Sequence, residues 1–282
     1  MQAPSSELKT LYNQALLYQE QEDVYNAIKL FKRLTKLAPQ WPQPFIQLST
    51  IYKYRKEWKP ALHYTKKVVA LDPSFRTGWW NMGIAATALK KWRIAKRVWT
   101  KFGLSPEISP HPNPIGIKLE YNKHFEILWA KAINPAKAII NSIPHPASDR
   151  RFRDVVLYDE SPSGYNVVRN KKHLVFDELG LLKRSRFKTF SALVYACDQK
   201  SLHLLEQLCI ASKLGFENWS NTSRNLSKSK YLEFYGQDVL PQETGEATCI
   251  AIAAHKEEEV KQALHSWSVI SLKQYSDLVQ HL

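Results

Sequence analysis

The stretch Trp41-Pro-Gln-Pro-Phe-Ile-Gln-Leu-Ser-Thr-Ile-Tyr52, followed by Trp58-Lys-Pro-Ala-Leu-His-Tyr64 and Ala70-Leu-Asp-Pro73, decides how the first third of the chain is read. Its landmarks return upstream and downstream at one fixed step. Ala27, Ala61 and Ala95 are 34 residues apart in succession, and Pro39 and Pro73, like Tyr18 and Tyr52, keep the same spacing. In that frame Ala15, Ser49 and Gly83 align as a small residue, and Leu11, Phe45 and Trp79 as a large apolar one. Self-similarity at such a period marks stacked supersecondary units. Small residues let the two helices of a hairpin approach closely, and large ones fill the layer between hairpins. The frame predicts first helices over 7–20, 42–55 and 76–89, and second helices over 24–37, 58–71 and 92–103.

Residues 6–107 resemble the tetratricopeptide repeat on these positions, the second block most closely. The third block departs at its end, where Phe102 stands at a usually small position and Pro106 comes one residue early, and it reads as a capping repeat. The resemblance implies an all-α solenoid whose first helices line a groove for a partner peptide or helix. Carried onto this frame, the groove positions are Tyr12, Leu16 and Gln19, then Ile46, Thr50 and Lys53, then Trp80, Ile84 and Thr87. Members that grip acidic chaperone C-termini carry Lys and Asn there, whereas the first block here has Tyr12 and Leu16, which points to another kind of partner.

A chain of 282 residues with 44% hydrophobic side chains and only 9 glycines can bury sizeable cores and exceeds the usual size of one domain. Its three cysteines, Cys197, Cys209 and Cys249, form no C-x-x-C pair and read as buried free thiols. The N-terminus lacks a basic stretch followed by an apolar one, and no apolar run approaches the length of a membrane span, so a cytoplasmic protein is expected. The formal charge of +14 is concentrated at one end. Residues 1–110 hold 18 Lys and Arg against 7 Asp and Glu, a net of +11, while residues 111–282 carry +3. Within the repeat, Lys32, Arg33, Lys66, Lys67 and Lys101 occupy equivalent places on the second helices, so stacking would align them into a basic ridge. Such a ridge serves either as a solvated surface or as a site for nucleic acid, an acidic protein surface or anionic lipid headgroups.

The proline-rich stretch 105–114 cannot continue a helix, and it sets a linker at 108–114 between a repeat domain over 1–107 and an α+β domain over 115–282. Strand-like runs at 124–133 and 152–159, and a hairpin pairing 167–168 with 174–176, make residues 115–180 β-rich. Beyond them the pattern alternates. A strand at 189–196 precedes a helix capped by Asp198 and ended by Gly215; strands at 231–235 and 248–254 precede a helix on Val260, Ala263, Leu264 and Trp267. A short strand at Val269-Ile270 and a final helix on Leu272, Tyr275, Leu278 and Val279 complete the expectation. The order β-α-β-β-α-β over 187–282 suggests a ferredoxin-like unit.

The chain contains no G-x-S-x-G, H-E-x-x-H, Walker loop or G-x-G-x-x-G, and neither metal nor cofactor is expected. The one grouping suited to acid–base work is Asp154, Asp159, Glu160, His173, Asp177 and Glu178, with Lys183, Arg184, Arg186 and Lys188 as an anion clamp. Turn caps and solvated strand ends explain the same residues equally simply, Asp159-Glu-Ser-Pro-Ser-Gly164 being a turn sequence. A non-catalytic adaptor binding another protein is therefore expected first, a polyanion binder second and an enzyme with a site in 154–188 third.

Overall fold

A computed structural model describes residues 4–104, 111, 113–121, 124–168, 171–221 and 247–281. By internal contacts the chain divides into two compact units, Met1–Pro110 with Asn134–Ala136, and His111–Ile133 with Lys137–Leu282. The linker at 108–114 lies largely outside the described residues, and the strand expected at 231–235 lies wholly outside them.

Among its described residues the first unit contains six helices in three antiparallel hairpins: α1 (Ser6–Glu20), α2 (Val24–Leu37), α3 (Pro42–Tyr54), α4 (Trp58–Leu71), α5 (Arg76–Ala88) and α6 (Trp92–Lys101). Each bound falls within two residues of the helix expected from the period. The repeated small residues are where the helices meet: Ala15, Ala27, Ala61 and Ala95 are all buried. The backbone keeps the period too. Glu22, Lys56 and Lys90, one at each hairpin turn and 34 apart, all sit in the left-handed region with φ of 61°, 59° and 56°. That conformation costs a residue with a Cβ about 1 kcal/mol or more. Replacing Glu22 by glycine should thus raise stability by about 1 kcal/mol in a urea titration, and a loss would mean that the turn is held by its side chain.

The residue after each of these turns opens the second helix, and here the three blocks differ. Asp23 caps α2, its Oδ1 accepting from the Asn26 amide at 3.1 Å. Its equivalents Glu57 and Lys91 make no such bond; Glu57 accepts from Arg55 Nε at 2.5 Å instead.

The second unit has two layers of β structure. Strands β1 (Ile115–Tyr121), β2 (His124–Asn134), β3 (Lys137–Ile140), β4 (Val155–Val168) and β5 (Lys171–Lys183) form a closed barrel, the ring completed by parallel pairing of Gly116–Lys118 in β1 with Val175–Asp177 in β5. Alternate residues point inward: Ile115, Ile117 and Leu119 from β1, Leu128, Ala130 and Ala132 from β2, Ala138 and Ile140 from β3. The alanines leave room for the two large interior rings, Tyr158 and Phe176, whose centroids are 5.2 Å apart. The β-rich stretch expected over 115–180 is thus a closed barrel.

The remainder is a sheet of β6 (Lys188–Tyr195), β7 (Gly215–Asn218), β8 (Ala247–Ala254) and β9 (Tyr275–Gln280) in the order β7-β8-β6-β9, every neighbour antiparallel. Helices α7 (Gln199–Ala211) and α8 (Glu257–Ser271) cover one face. Phe190, Ala192, Val194, Ile250 and Ile252 meet Leu205, Val260, Leu264 and Trp267 there, with the Trp267 indole donating to the Ser201 carbonyl at 2.7 Å. On the opposite face Ala251 and Ala253 pack against Ile143 and Phe152 from the loop between β3 and β4, Phe187 from the segment between β5 and β6, and Trp219, which directly follows β7.

Three expectations for this region are corrected. Gly215 does not end α7; Lys213 takes the left-handed position after the helix (φ 59°) and Gly215 opens β7, where a side chain would meet Phe152 at 3.1 Å. Val269 and Ile270 continue α8 rather than forming a strand. The expected final helix is the strand β9. Its apolar residues Tyr275 and Leu278 lie three apart because a bulge at Asp277 (φ 52°) shifts the register against β6 by one, and that spacing imitates a helical face.

Candidate protein-binding groove

The nine groove positions fall on α1, α3 and α5, and packing divides them into two groups. Tyr12 is half-buried between hairpins: its ring lies 5.6 Å from Phe31 and 5.0 Å from Trp41, and its hydroxyl accepts from Gln47 Nε2 at 3.2 Å. Leu16, Gln19, Ile46 and Thr50 are half-buried. The third hairpin is different: Trp80 is 8% exposed, Ile84 0% and Thr87 1%. Trp80 packs on its own hairpin, with ring centroids 5.2 Å from Trp99 and 5.3 Å from Phe102, and the Thr87 hydroxyl donates to the Gly83 carbonyl at 2.8 Å. Phe102, the large residue at a usually small position, is thus part of what buries Trp80. Besides Tyr12, the positions of the nine that stay half-buried are Leu16, Gln19, Ile46 and Thr50.

Lys53 is also buried, at 6% exposure, with its ammonium donating to Asn81 Oδ1 at 3.2 Å and standing 4.6 Å from the Tyr54 ring centroid. Asn81 was missed in the sequence reading. Its signal was present, since Gln47 and Asn81 keep the 34-residue step and each bonds to a groove residue of the preceding first helix.

The five ridge residues are all exposed on second helices. Lys32 stands 5.7 Å over the Tyr52 ring, and its bond to the Tyr52 hydroxyl holds its pKa above the usual lysine range. Lys101 stands 4.5 Å over Trp79, while Arg33, Lys66 and Lys67 project into solvent.

In the second unit the acid–base grouping is spent on structure. Asp154 is fully buried; Oδ2 accepts from the Arg151 amide at 2.9 Å and Oδ1 from the Ser185 amide at 2.6 Å, which ties the barrel to the strand that follows it. Glu178 accepts from Arg150 Nε at 3.0 Å and Nη2 at 2.8 Å, and Arg184 grips both oxygens of Asp149 at 2.8 and 3.0 Å. His173 Nδ1 lies 3.2 Å from the Pro114 carbonyl, with its ring 5.0 Å from Trp129. Lys188 reaches Gln280 at 3.4 Å, Asp159 is buried, Asp177 is half-buried, and Lys183 and Arg186 are exposed. The side chain of Glu160 lies outside the described residues. Among the described residues of the expected acid, base and clamp, Asp154, Glu178 and Arg184 are thus each engaged in hydrogen bonds of the fold, with Arg184 and Arg150 near enough to Asp154 to lower its pKa. Burial pushes all three thiols up, Cys209 to about 12; Cys209 is buried, whereas Cys197 and Cys249 are half-buried. Among the described residues no helix is long and apolar enough to cross a membrane.

No family model matches the chain, and no curated protein matches it. Solved structures similar to it are tetratricopeptide domains, and the similarity covers its N-terminal third. The first such domain of Spaghetti (RPAP3), bound to an HSP90 peptide, is 22% identical over 35% of this chain and 79% of its own, with a TM-score of 0.32. The Sgt2 domain from Aspergillus fumigatus is 20% identical over 35% of this chain, which spans 66% of that domain's length, with the same TM-score. The Yersinia enterocolitica type III secretion translocator chaperone SycD is 16% identical over 34% of this chain and 74% of its own, with a TM-score of 0.31.

Proposed function

We propose that the chain is a cytoplasmic, non-catalytic adaptor that holds a partner polypeptide along α1 and α3, with Leu16, Gln19, Ile46 and Thr50 as the contact surface. The observation carrying this reading is the division of the groove positions: Leu16, Gln19, Ile46 and Thr50 of the first two hairpins are only half-buried, whereas Lys53, Trp80, Ile84 and Thr87 are buried. A short apolar face flanked by polar groups fits a helix or extended peptide, with affinity concentrated in a few anchors. Residues 1–107 are read as the binding module and 115–282 as a second module joined through 108–114. The antiparallel order β7-β8-β6-β9 with both helices on one face supports a ferredoxin-like reading of 187–282, a fold that by itself assigns no activity.

The test is affinity capture from cell extract by the full chain and by a Leu16→Gln/Ile46→Gln variant, with circular dichroism melts on both. A captured protein should fall by about tenfold or more in the variant, as loss of central apolar anchors does, while the fold is retained. Equal recovery by a folded variant would refute the groove. Tyr12 and Trp80 are unsuited to this test, because their rings hold the hairpins together.

A further inference from the structure

The third hairpin carries a charge pattern that the groove does not use. From Pro73 to Pro106 there is no Asp or Glu, while Arg76, Lys90, Lys91, Arg93, Lys96, Arg97 and Lys101 are all present. The first two hairpins interleave Glu7, Glu20, Glu22, Asp23, Glu57 and Asp72 among their cations. All seven cations of the third are exposed, and none is in an ion pair with a described carboxylate. Four of them, Arg93, Lys96, Arg97 and Lys101, lie on α6, where Arg93, Arg97 and Lys101 follow one another at four-residue steps of about 6 Å. Two cations are held in place by rings, Lys101 over Trp79 at 4.5 Å and Arg76 over Phe102 at 5.0 Å. Trp92, at the start of the same helix, is 51% exposed.

We propose that the exposed face of α6 is a binding site for the phosphate backbone of nucleic acid, independent of the groove. An acid-free row of exposed cations complements a polyanion whose charges follow one another closely along its axis. The half-exposed Trp92 indole supplies a face on which a base can stack. A lipid surface fits less well. A helix that lies in a bilayer interface buries its apolar face in the lipid, and the apolar face of α6, Ala95, Val98 and Trp99, is already buried in the hairpin at 4%, 0% and 1% exposure.

The experiment measures binding of the full chain to fluorescent mixed-sequence oligonucleotides of about 20 residues, single-stranded and duplex, from about 50 to about 200 mM salt. The variant Arg93→Gln/Lys96→Gln/Arg97→Gln/Lys101→Gln should bind about tenfold or more weakly at the middle of that range, with the salt slope reduced by about 3. A matched variant, Lys29→Gln/Lys32→Gln/Arg33→Gln/Lys36→Gln on α2, loses the same charge and should change affinity by less than about threefold, since its acid-bearing hairpin makes no direct phosphate contact. Arg93→Glu/Arg97→Glu, with a circular dichroism melt, repeats the test with helix-forming residues. The site is overturned if the wild type binds neither oligonucleotide, if the α2 and α6 variants lose affinity equally, or if phosphatidylserine vesicles bind more tightly than nucleic acid at the same salt. Because the Leu16→Gln/Ile46→Gln variant keeps α6 intact, it should bind oligonucleotides like the wild type, so failure of the groove and failure of this site are separable.

Discussion

Gly83→Ala will destabilise the protein by about 2 kcal/mol, and Gly83→Val will unfold the third hairpin, even though either residue forms helix more readily than glycine. A Cβ at Gly83 would stand 2.4, 2.7 and 2.8 Å from three ring atoms of Trp99, and an indole buried to 1% exposure cannot yield as a flexible chain end would. The equivalent small positions show why only this block needs glycine. Phe31, Thr65 and Trp99 share one place in the period, and Gly83 belongs to the block where that place holds an indole, while Ala15 and Ser49 stand in the others. Trp99→Phe alone should also cost stability by leaving a void. In the double variant Gly83→Ala/Trp99→Phe the two losses should fall short of their sum by about 1 kcal/mol or more, because the smaller ring makes room for the methyl group. Strict additivity in urea titrations of the four proteins would show that the contact is not what requires glycine.

Asp154→Ala should cost about 2–5 kcal/mol, because it strands the amides of Arg151 and Ser185 in a fully buried site. Asp154→Asn should cost less than alanine but still destabilise, since both carboxylate oxygens accept from N–H groups and an amide offers only one acceptor. The pH dependence carries a sign that can be checked. Burial raises the Asp154 carboxyl above its ordinary value of 3.8, outweighing the two amide bonds that lower it. The folded state therefore binds this proton more tightly than the unfolded chain does. The contribution of this proton is fully present below the unfolded value and disappears as pH rises through the folded value. The stability gap between wild type and Asp154→Asn should then widen as pH is lowered from neutrality. Asp149 behaves oppositely: the bond to the Arg184 guanidinium holds its carboxyl below 3.8, so its contribution is present above that value and is lost as pH falls through the folded one. The gap between wild type and Asp149→Asn should close in acid. Two gaps moving the same way in pH-dependent urea titrations would contradict the assignment of causes.

The repeat was legible in the sequence because its packing is local and periodic. A buried alanine at 27, 61 and 95 constrains a helix pair within one block, so the spacing alone locates six helices to within two residues. Accessibility along the groove was not legible. Trp80 aligns with Tyr12 and Ile46, yet it is buried by Trp99 and by Phe102, a residue that departs from the repeat pattern, and no period conveys the effect of a departure. The barrel was invisible for a related reason. Strand β3 is only four residues long, and three of the inward positions of β2 and β3 are alanine, a residue equally at home in a helix. In β9 a single bulged residue turned a strand's alternation into a helix's spacing. The bonds made by the acid–base grouping were not legible either, because proximity in sequence does not show that Asp154 accepts from the backbone amides of Arg151 and Ser185, 3 residues before it and 31 after it.

The parallel ladder that closes the barrel joins Gly116 to Val175, residues 59 apart in the chain. Every other pairing in the barrel links strands consecutive in sequence. Loop closure over that distance is entropically expensive, so β1 acquires its second neighbour late in folding, after the hairpins β1–β2 and β4–β5 have formed from nearer contacts. During synthesis the same order is imposed by the ribosome. The helical hairpins emerge complete and fold on local contacts, whereas β1 must wait until about 60 further residues have left the exit tunnel before its open edge is covered. That interval, rather than any feature of the finished molecule, is when this chain is most exposed to strand-to-strand association with its neighbours.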